Sequence, residues 1–203
     1  MRLDFKVDPS GIEEFENLKI IKMIPSLKYC VFSASIVFVG MLAVKAQDKD
    51  IPVPKSVSTD RALPQAEAKK LLNIGELFYA FWNTGKEKYL DESVSKDFFD
   101  NTLPKGRPQG YKGVLFASAN FRKAVPDLKC SVEDLIITKD KIICRQVYTG
   151  HNTGSLGGHK ASGNPIRFIA IDILHVRGGK VYEDWHLEDN LTFLQQIGLV
   201  NLK

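Results

Sequence analysis

From residue 128 onward, apolar side chains recur at every second position. Residues 128–138 and 141–151 are runs rich in Val, Ile and Leu, joined by a tight charged turn at Lys139-Asp140, and they predict an antiparallel hairpin. A second hairpin is expected within residues 169–198, where two alternating runs meet at Arg177-Gly178-Gly179-Lys180 and a short helical pattern follows. Before residue 128 the period is that of a helix. Between residues 64 and 84, Leu71, Ile74, Phe78, Phe81 and Trp82 fall at three- and four-residue spacings, which puts them on one face. Pro64 suits the first turn and Gly85 the C-terminal cap. A short helix over residues 87–94 and a third over about 112–123 follow, with an irregular loop of two prolines and two glycines at 103–110. Helices first, then four long antiparallel strands, define an α+β class.

The last hairpin breaks its own pattern. Asp172, Asp184 and His186 stand where an alternating strand would otherwise place core residues. Which face they share depends on the turn. A three-residue loop with Gly179 in the left-handed region sets Val176 opposite Lys180, and Ala170, Asp172, Asp184 and His186 then project together. A two-residue turn sets Asp172 opposite Trp185 and sends Asp184 and His186 to the other face.

The N-terminal third is organised differently. Residues 29–44 form an apolar, uncharged run flanked by Lys28 and Lys45, shorter than a comfortable membrane span. Its ending, Val44-Lys45-Ala46, suits signal-peptidase cleavage after Ala46, with Met23 as a plausible true start. Residues 1–46 are therefore expected to be an N-terminal extension and signal peptide, and the protein to be exported, periplasmic or secreted. The alternative is a membrane anchor at residues 29–44. Residues 47–62 mix Pro, Ser and charge and are expected to be a linker to a domain spanning residues 63–203.

Composition narrows the partners. The formal charge of +4 on 203 residues is scattered, without the basic face that nucleic-acid binding requires. The four histidines lack ligand spacing for a metal, and there is neither a nucleotide fingerprint nor a serine elbow. The glycine-rich loop at 150–163 is followed by a strand and not a helix, so it is expected to be a mobile flap or rim and not a phosphate cradle. The first hairpin's register sets Cys144 opposite Leu135, away from Cys130, so two buried free thiols are expected.

Several short motifs occur in one order over about 130 residues. They are Phe81-Trp82-Asn83-Thr84-Gly85, Tyr148-Thr149-Gly150 through Gly154 and Gly163, Gly179-Lys180-Val181, Glu183-Asp184-Trp185 with Asp189, and Leu194-Gln195-Gln196-Ile197-Gly198. In these the chain from about residue 71 to 198 resembles the SnoaL-like polyketide cyclases, also called ester cyclases, of the nuclear-transport-factor-two-like superfamily. The resemblance implies a cone-shaped α+β barrel, with a curved antiparallel sheet packed on N-terminal helices around a pocket open at one end. It also implies cofactor-independent acid-base chemistry, an aldol-type cyclisation or isomerisation, on a small hydrophobic carbonyl compound. Sheets of the superfamily often pair, so a homodimer is expected.

Carried over residue by residue, the family's acid-base aspartate falls at His186, a pocket histidine at Asp172 and a pocket asparagine near Asp100. Family loops place a histidine where this chain has Asn152. The site residues expected on these grounds are His186 as base with Asp172 orienting it, and Asp184, Asp100, Trp82, Asn152 and Ala170 against the substrate. A non-catalytic pocket that binds a hydrophobic small molecule, or a dimerising module, is the competing reading.

Overall fold

The computed structural model describes residues 48–201, so the expected leader and cleavage site lie outside the described residues. Ten elements follow in order: β1 (Ser56–Thr59), α1 (Gln65–Thr84), α2 (Glu87–Ser93), β2 (Val94–Asp100), α3 (Tyr111–Ala124), β3 (Lys129–Ile137), β4 (Lys141–His151), β5 (Pro165–Arg177), β6 (Lys180–Glu188) and α4 (Asn190–Gln196). The strands form one curved, unclosed sheet in the order β1-β3-β4-β5-β6-β2. The expected α+β cone is what forms.

Helix α1 lies in the sheet's concavity because its apolar stripe is unbroken. Leu71, Ile74, Leu77, Phe78 and Phe81 are buried, and Tyr79 and Ala80 are fully covered. The helix stops at Gly85, whose φ of 73° an L side chain rarely adopts. A Cβ there would also stand 2.8 Å from Arg122 Nε. On the sheet, the inward row of β4 is Ile142, Cys144, Gln146 and Tyr148, and that of β5 is Ile166, Phe168, Ala170, Asp172 and Leu174, all buried. Cys144 pairs with Leu135 as expected, and both described cysteines are buried and free.

Two strands were not anticipated. Residues 47–62 are more than a linker, because β1 pairs in parallel with β3 and extends the sheet. Just before it, Asp48 and Asp50 accept hydrogen bonds from the Tyr89 hydroxyl at 2.6 and 3.0 Å. The side chains of β1 are exposed throughout, so the strand has no apolar alternation to betray it; its partner's backbone makes it a strand. Similarly, β2 pairs in parallel with β6 and sets Asp100 beside Asp184.

The β5–β6 turn corrects the expectation in an instructive way. Arg177 pairs with Lys180, so the turn has two residues, with Gly178 and Gly179 both at positive φ (59° and 77°). That turn alone would have put Asp184 and His186 on the outer face. A bulge restores them: Val176 pairs with Val181 but His175 pairs with Glu183, leaving Tyr182 as the extra residue. Asp172 then lies opposite His186, and Leu174 opposite Asp184.

The glycine-rich loop departs from its expected role as a flap, at least at its base. Asn152 donates to the carbonyls of Ala124 (3.0 Å) and Gly154 (2.9 Å) and accepts from Ser162, and Gly154 N–H bonds Ala124 O at 3.0 Å. A Cβ on Gly154 would lie 1.7 Å from Lys123 O, so only glycine permits this approach.

Candidate active site

Between the helices and the concave sheet lies a cavity of about 290 Å³. Aromatic and aliphatic side chains of α1, α3 and the inner strands form its walls, among them Phe78, Trp82, Phe121, Tyr148 and Phe168. Its floor is the reverse: Asp100, Arg107, Gln146, Asp172, Asp184, His186 and Glu188. Of the residues expected from the sequence, Asp100, Trp82, Ala170, Asp172, Asp184 and His186 all line it. Asn152 is the exception. It is only 2 % exposed and its side chain is engaged in pinning the glycine-rich loop to the end of α3, and it does not line this cavity.

Asp172 is held from two elements. The Tyr79 hydroxyl of α1 donates to Oδ2 at 2.9 Å, and Gln146 Nε2 of β4 donates to the same oxygen at 2.7 Å. Oδ1 has no partner among the described residues. Burial pushes the Asp172 carboxyl up to about 6, against the opposing pull of Tyr79, the His186 charge and Gln146. Asp172 does not orient His186, contrary to expectation: the two are cross-strand neighbours, but no hydrogen bond or ion pair joins them.

His186 is instead claimed by other carboxylates. Its Nε2 is 3.1 and 3.2 Å from the two oxygens of Asp100, and Nδ1 is 2.9 Å from Glu188 Oε1 in an ion pair that is off the line of a directed hydrogen bond. Burial alone would lower the His186 pKa. Asp100 and Glu188 outweigh it and raise the imidazole to about 10, so the ring is a cation at neutral pH. Arg107, from the loop after β2, forms an ion pair with Asp100 and brings Nη2 to 2.7 Å from His186 Nε2. With His186 protonated, both cations converge as donors on the shared Asp100 carboxylate. Asp100 is buried, which opposes its charge, yet His186, the Thr102 N–H and Arg107 hold it at about 2.

Asp184 has no such company. Neither of its carboxyl oxygens has a hydrogen-bond partner among the described residues, and burial followed by the Asp172 charge drives its pKa well above the carboxylate range. Its surroundings favour the protonated, neutral carboxylic acid over the carboxylate. The site therefore pairs one ionisable carboxylate, one neutral acid and a balanced cluster of two acids with two cations.

Four of these contributors were not singled out in the sequence. Gln146 is a polar residue at an inward position of an alternating strand, and Glu188 continues the series 184, 186, 188; both were legible by the rule that exposed Asp172. Tyr79 sits inside an apolar helix as one more aromatic. Arg107 lies in the irregular loop at 103–110, where no periodicity assigns a direction.

A curved α+β cone of this kind is the fold of the nuclear-transport-factor-two-like superfamily, to which the SnoaL-like proteins belong. The SnoaL-like polyketide cyclase profile matches residues 73–197, and the chain belongs to that family. Among solved structures it is similar to a Bacillus cereus protein assigned to the polyketide cyclases, with 48% identity over 76% of this chain and 97% of that one and a TM-score of 0.69. TsrD from Streptomyces laurentii is 25% identical over 68% of this chain and 99% of that one, with a TM-score of 0.60. AclR from Streptomyces galilaeus, assigned as a hydroxylase, shares the fold at 20% identity over 67% of this chain and 89% of that one, with a TM-score of 0.59. Among curated proteins no match is found.

Proposed function

We propose that the protein is a cofactor-independent enzyme that removes a proton from carbon next to the carbonyl of a small hydrophobic compound. The resulting enolate then undergoes aldol-type ring closure or isomerisation. Asp172 is the base. The observation that carries this reading is the division of its two oxygens: both protein donors hold Oδ2, which leaves Oδ1 for the substrate in a cavity walled by aromatics.

In the first step the substrate C–H proton passes to Asp172 Oδ1. The C–H electron pair becomes the C=C bond of the enolate, and the carbonyl oxygen takes the negative charge that Asp172 gives up. The neutral acid Asp184 donates a hydrogen bond to that oxygen, as a carboxylic acid kept protonated in an apolar site can do. In ring closure the enolate carbon bonds to a second carbonyl carbon of the same molecule. The new alkoxide takes the proton held by Asp172, which restores the Asp172 carboxylate; in isomerisation Asp172 returns the same proton to a different carbon of the enolate. His186 and Arg107 act electrostatically from the side of the site, in place of the histidine base expected from the sequence.

Deuterium exchange tests the reading. Incubating 2-tetralone with the protein in D2O should speed loss of its α-proton NMR signals, and Asp172→Asn should abolish the effect. Exchange at the uncatalysed rate with wild-type protein would sink it.

We also propose export, with residues 1–46 as a cleaved leader. N-terminal sequencing of protein from the native envelope or medium should then begin at Gln47. Finally, we propose that two copies pair through the outer face of the sheet. Ile169, Ile171 and Ile173 stand exposed along β5, beside exposed Leu187 and half-buried Ile143 and Trp185 on the adjacent strands. A twofold axis through Ile171 would set Ile169 of one copy against Ile173 of the other, the self-complementarity an isologous contact needs.

A further inference from the structure

The floor of the cavity is built of more acids than bases. Asp100, Asp172, Asp184 and Glu188 face only His186 and Arg107. Both cations are committed, His186 to Asp100 and Glu188, Arg107 to Asp100. The remaining carboxyl groups, Asp172 and Asp184, are each 5 % exposed, and the side chains that bond them are the neutral Tyr79 and Gln146, both on Asp172. The Asp184 carboxyl has no hydrogen-bond partner among the described residues. A buried carboxyl without a counter-cation is costly to ionise and is pushed toward its protonated form, a cost that a bound cation would remove. The walls around them are rich in aromatic rings: Trp82, Phe121, Tyr148 and Phe168, with Phe78 and Phe98 also lining the cavity. Aromatic walls attract organic cations and place no demand for hydrogen bonds on them.

We propose that this cavity binds a hydrophobic ammonium ion, whose charge lies against Asp172 and Asp184 and whose organic body lies against the aromatic walls. The ion supplies the positive charge that the protein leaves out. An uncharged molecule of the same shape gains only the walls, and an anion meets uncompensated carboxyls. The ranking is therefore cation, then neutral isostere, then anion. It stands on the cavity's composition and does not require the proton transfer proposed above. For an enzyme of that kind, however, the ammonium ion would occupy the base and act as a competitive ligand.

Three probes of similar size decide the matter on the full-length wild-type protein: benzyltrimethylammonium, its uncharged isostere neopentylbenzene, and phenylacetate. Titration calorimetry, with quenching of Trp82 fluorescence in a Trp185→Phe background as a second readout, should give the ammonium ion an affinity at least about tenfold above the isostere. Phenylacetate should bind most weakly. In Asp172→Asn/Asp184→Asn the advantage of the cation should fall to within about twofold of the isostere while the isostere keeps its affinity. Equal or tighter binding of the isostere or of phenylacetate, no binding of the ammonium ion, or a cation preference that survives the double substitution would overturn the proposal. If the double variant does not fold, the three-ligand ranking on the wild type still decides. Loss of deuterium exchange with the ranking intact would count against the proposed catalysis alone.

Discussion

Asp100 and Asp184 are register partners across the parallel β2–β6 pair, yet one is held as a carboxylate and the other is pushed toward the protonated acid. Asp100 is held at about 2 by His186, the Thr102 N–H and Arg107, which outweigh its burial. Asp184, as little exposed but set deeper in the protein, has no cation of its own and is driven far upward by burial and then by Asp172. Two like carboxyls are thus pushed in opposite directions by their depth and their partners.

The pH dependence of exchange follows from the groups that must be charged. Asp172 has to be ionised to accept a proton, so kcat/KM for deuterium exchange should rise with pH through about 6. His186 has to be cationic, so the rate should fall as pH passes about 10. Gln146→Leu removes a hydrogen bond to the charged form of Asp172 and should move the rising limb to higher pH. A rising limb that stays in place in that variant would separate it from Asp172.

Asp184 matters as a neutral donor and not as a charge. Asp184→Asn keeps an N–H donor of the same shape and should retain exchange to within about tenfold, whereas Asp184→Leu should lose about a hundredfold. Steady-state rates of both variants, with circular dichroism to confirm folding, check the split. Equal losses in the two would rule out the donor role.

Burial of Asp172 should be visible in stability. Its folded pKa lies above the unfolded value, so the native state holds a proton that the unfolded chain has released, and stability falls as pH rises from about 4 through about 6. Asp172→Asn removes that fall and should be more stable than wild type at pH 8 by on the order of 2 kcal/mol in urea unfolding. It should also be inactive. A destabilised variant would mean that the carboxylate contributes net structure.

His186 contributes with the opposite sign. Its folded pKa is raised, so its contribution is complete below about 6.5 and is lost as pH climbs through about 10. His186→Gln should cost about 2–3 kcal/mol at pH 6, since Asp100 and Glu188 lose a buried partner. The difference from wild type should shrink by pH 10.5. A pH-independent difference would assign the cost to packing.

If two copies pair through β5, Ile171→Glu should convert a dimer to a monomer in analytical ultracentrifugation. A wild-type protein that sediments as a monomer at tens of micromolar would exclude the pairing.

Much of this was written in the chain. Period 3.6 before residue 128 and period 2 after it gave the order of helices and long strands, because burial against one core imposes those repeats on apolar side chains. Asp172, Asp184 and His186 stood out as polar breaks in that repeat. Tertiary structure alone decided the rest. β1 and β2 exist because β3 and β6 offer backbone partners, which leaves no mark on side-chain pattern. The bulge at Tyr182, and not the length of the turn, put Asp184 and His186 inside. Asp100 and Glu188 turned His186 from the expected base into a held cation, and Arg107, from a loop without periodicity, reached the same Asp100. Protonation states are set by distances among groups far apart in the chain, here Tyr79, Asp100, Arg107, Gln146, Asp172 and Glu188, and local sequence carries no record of those distances.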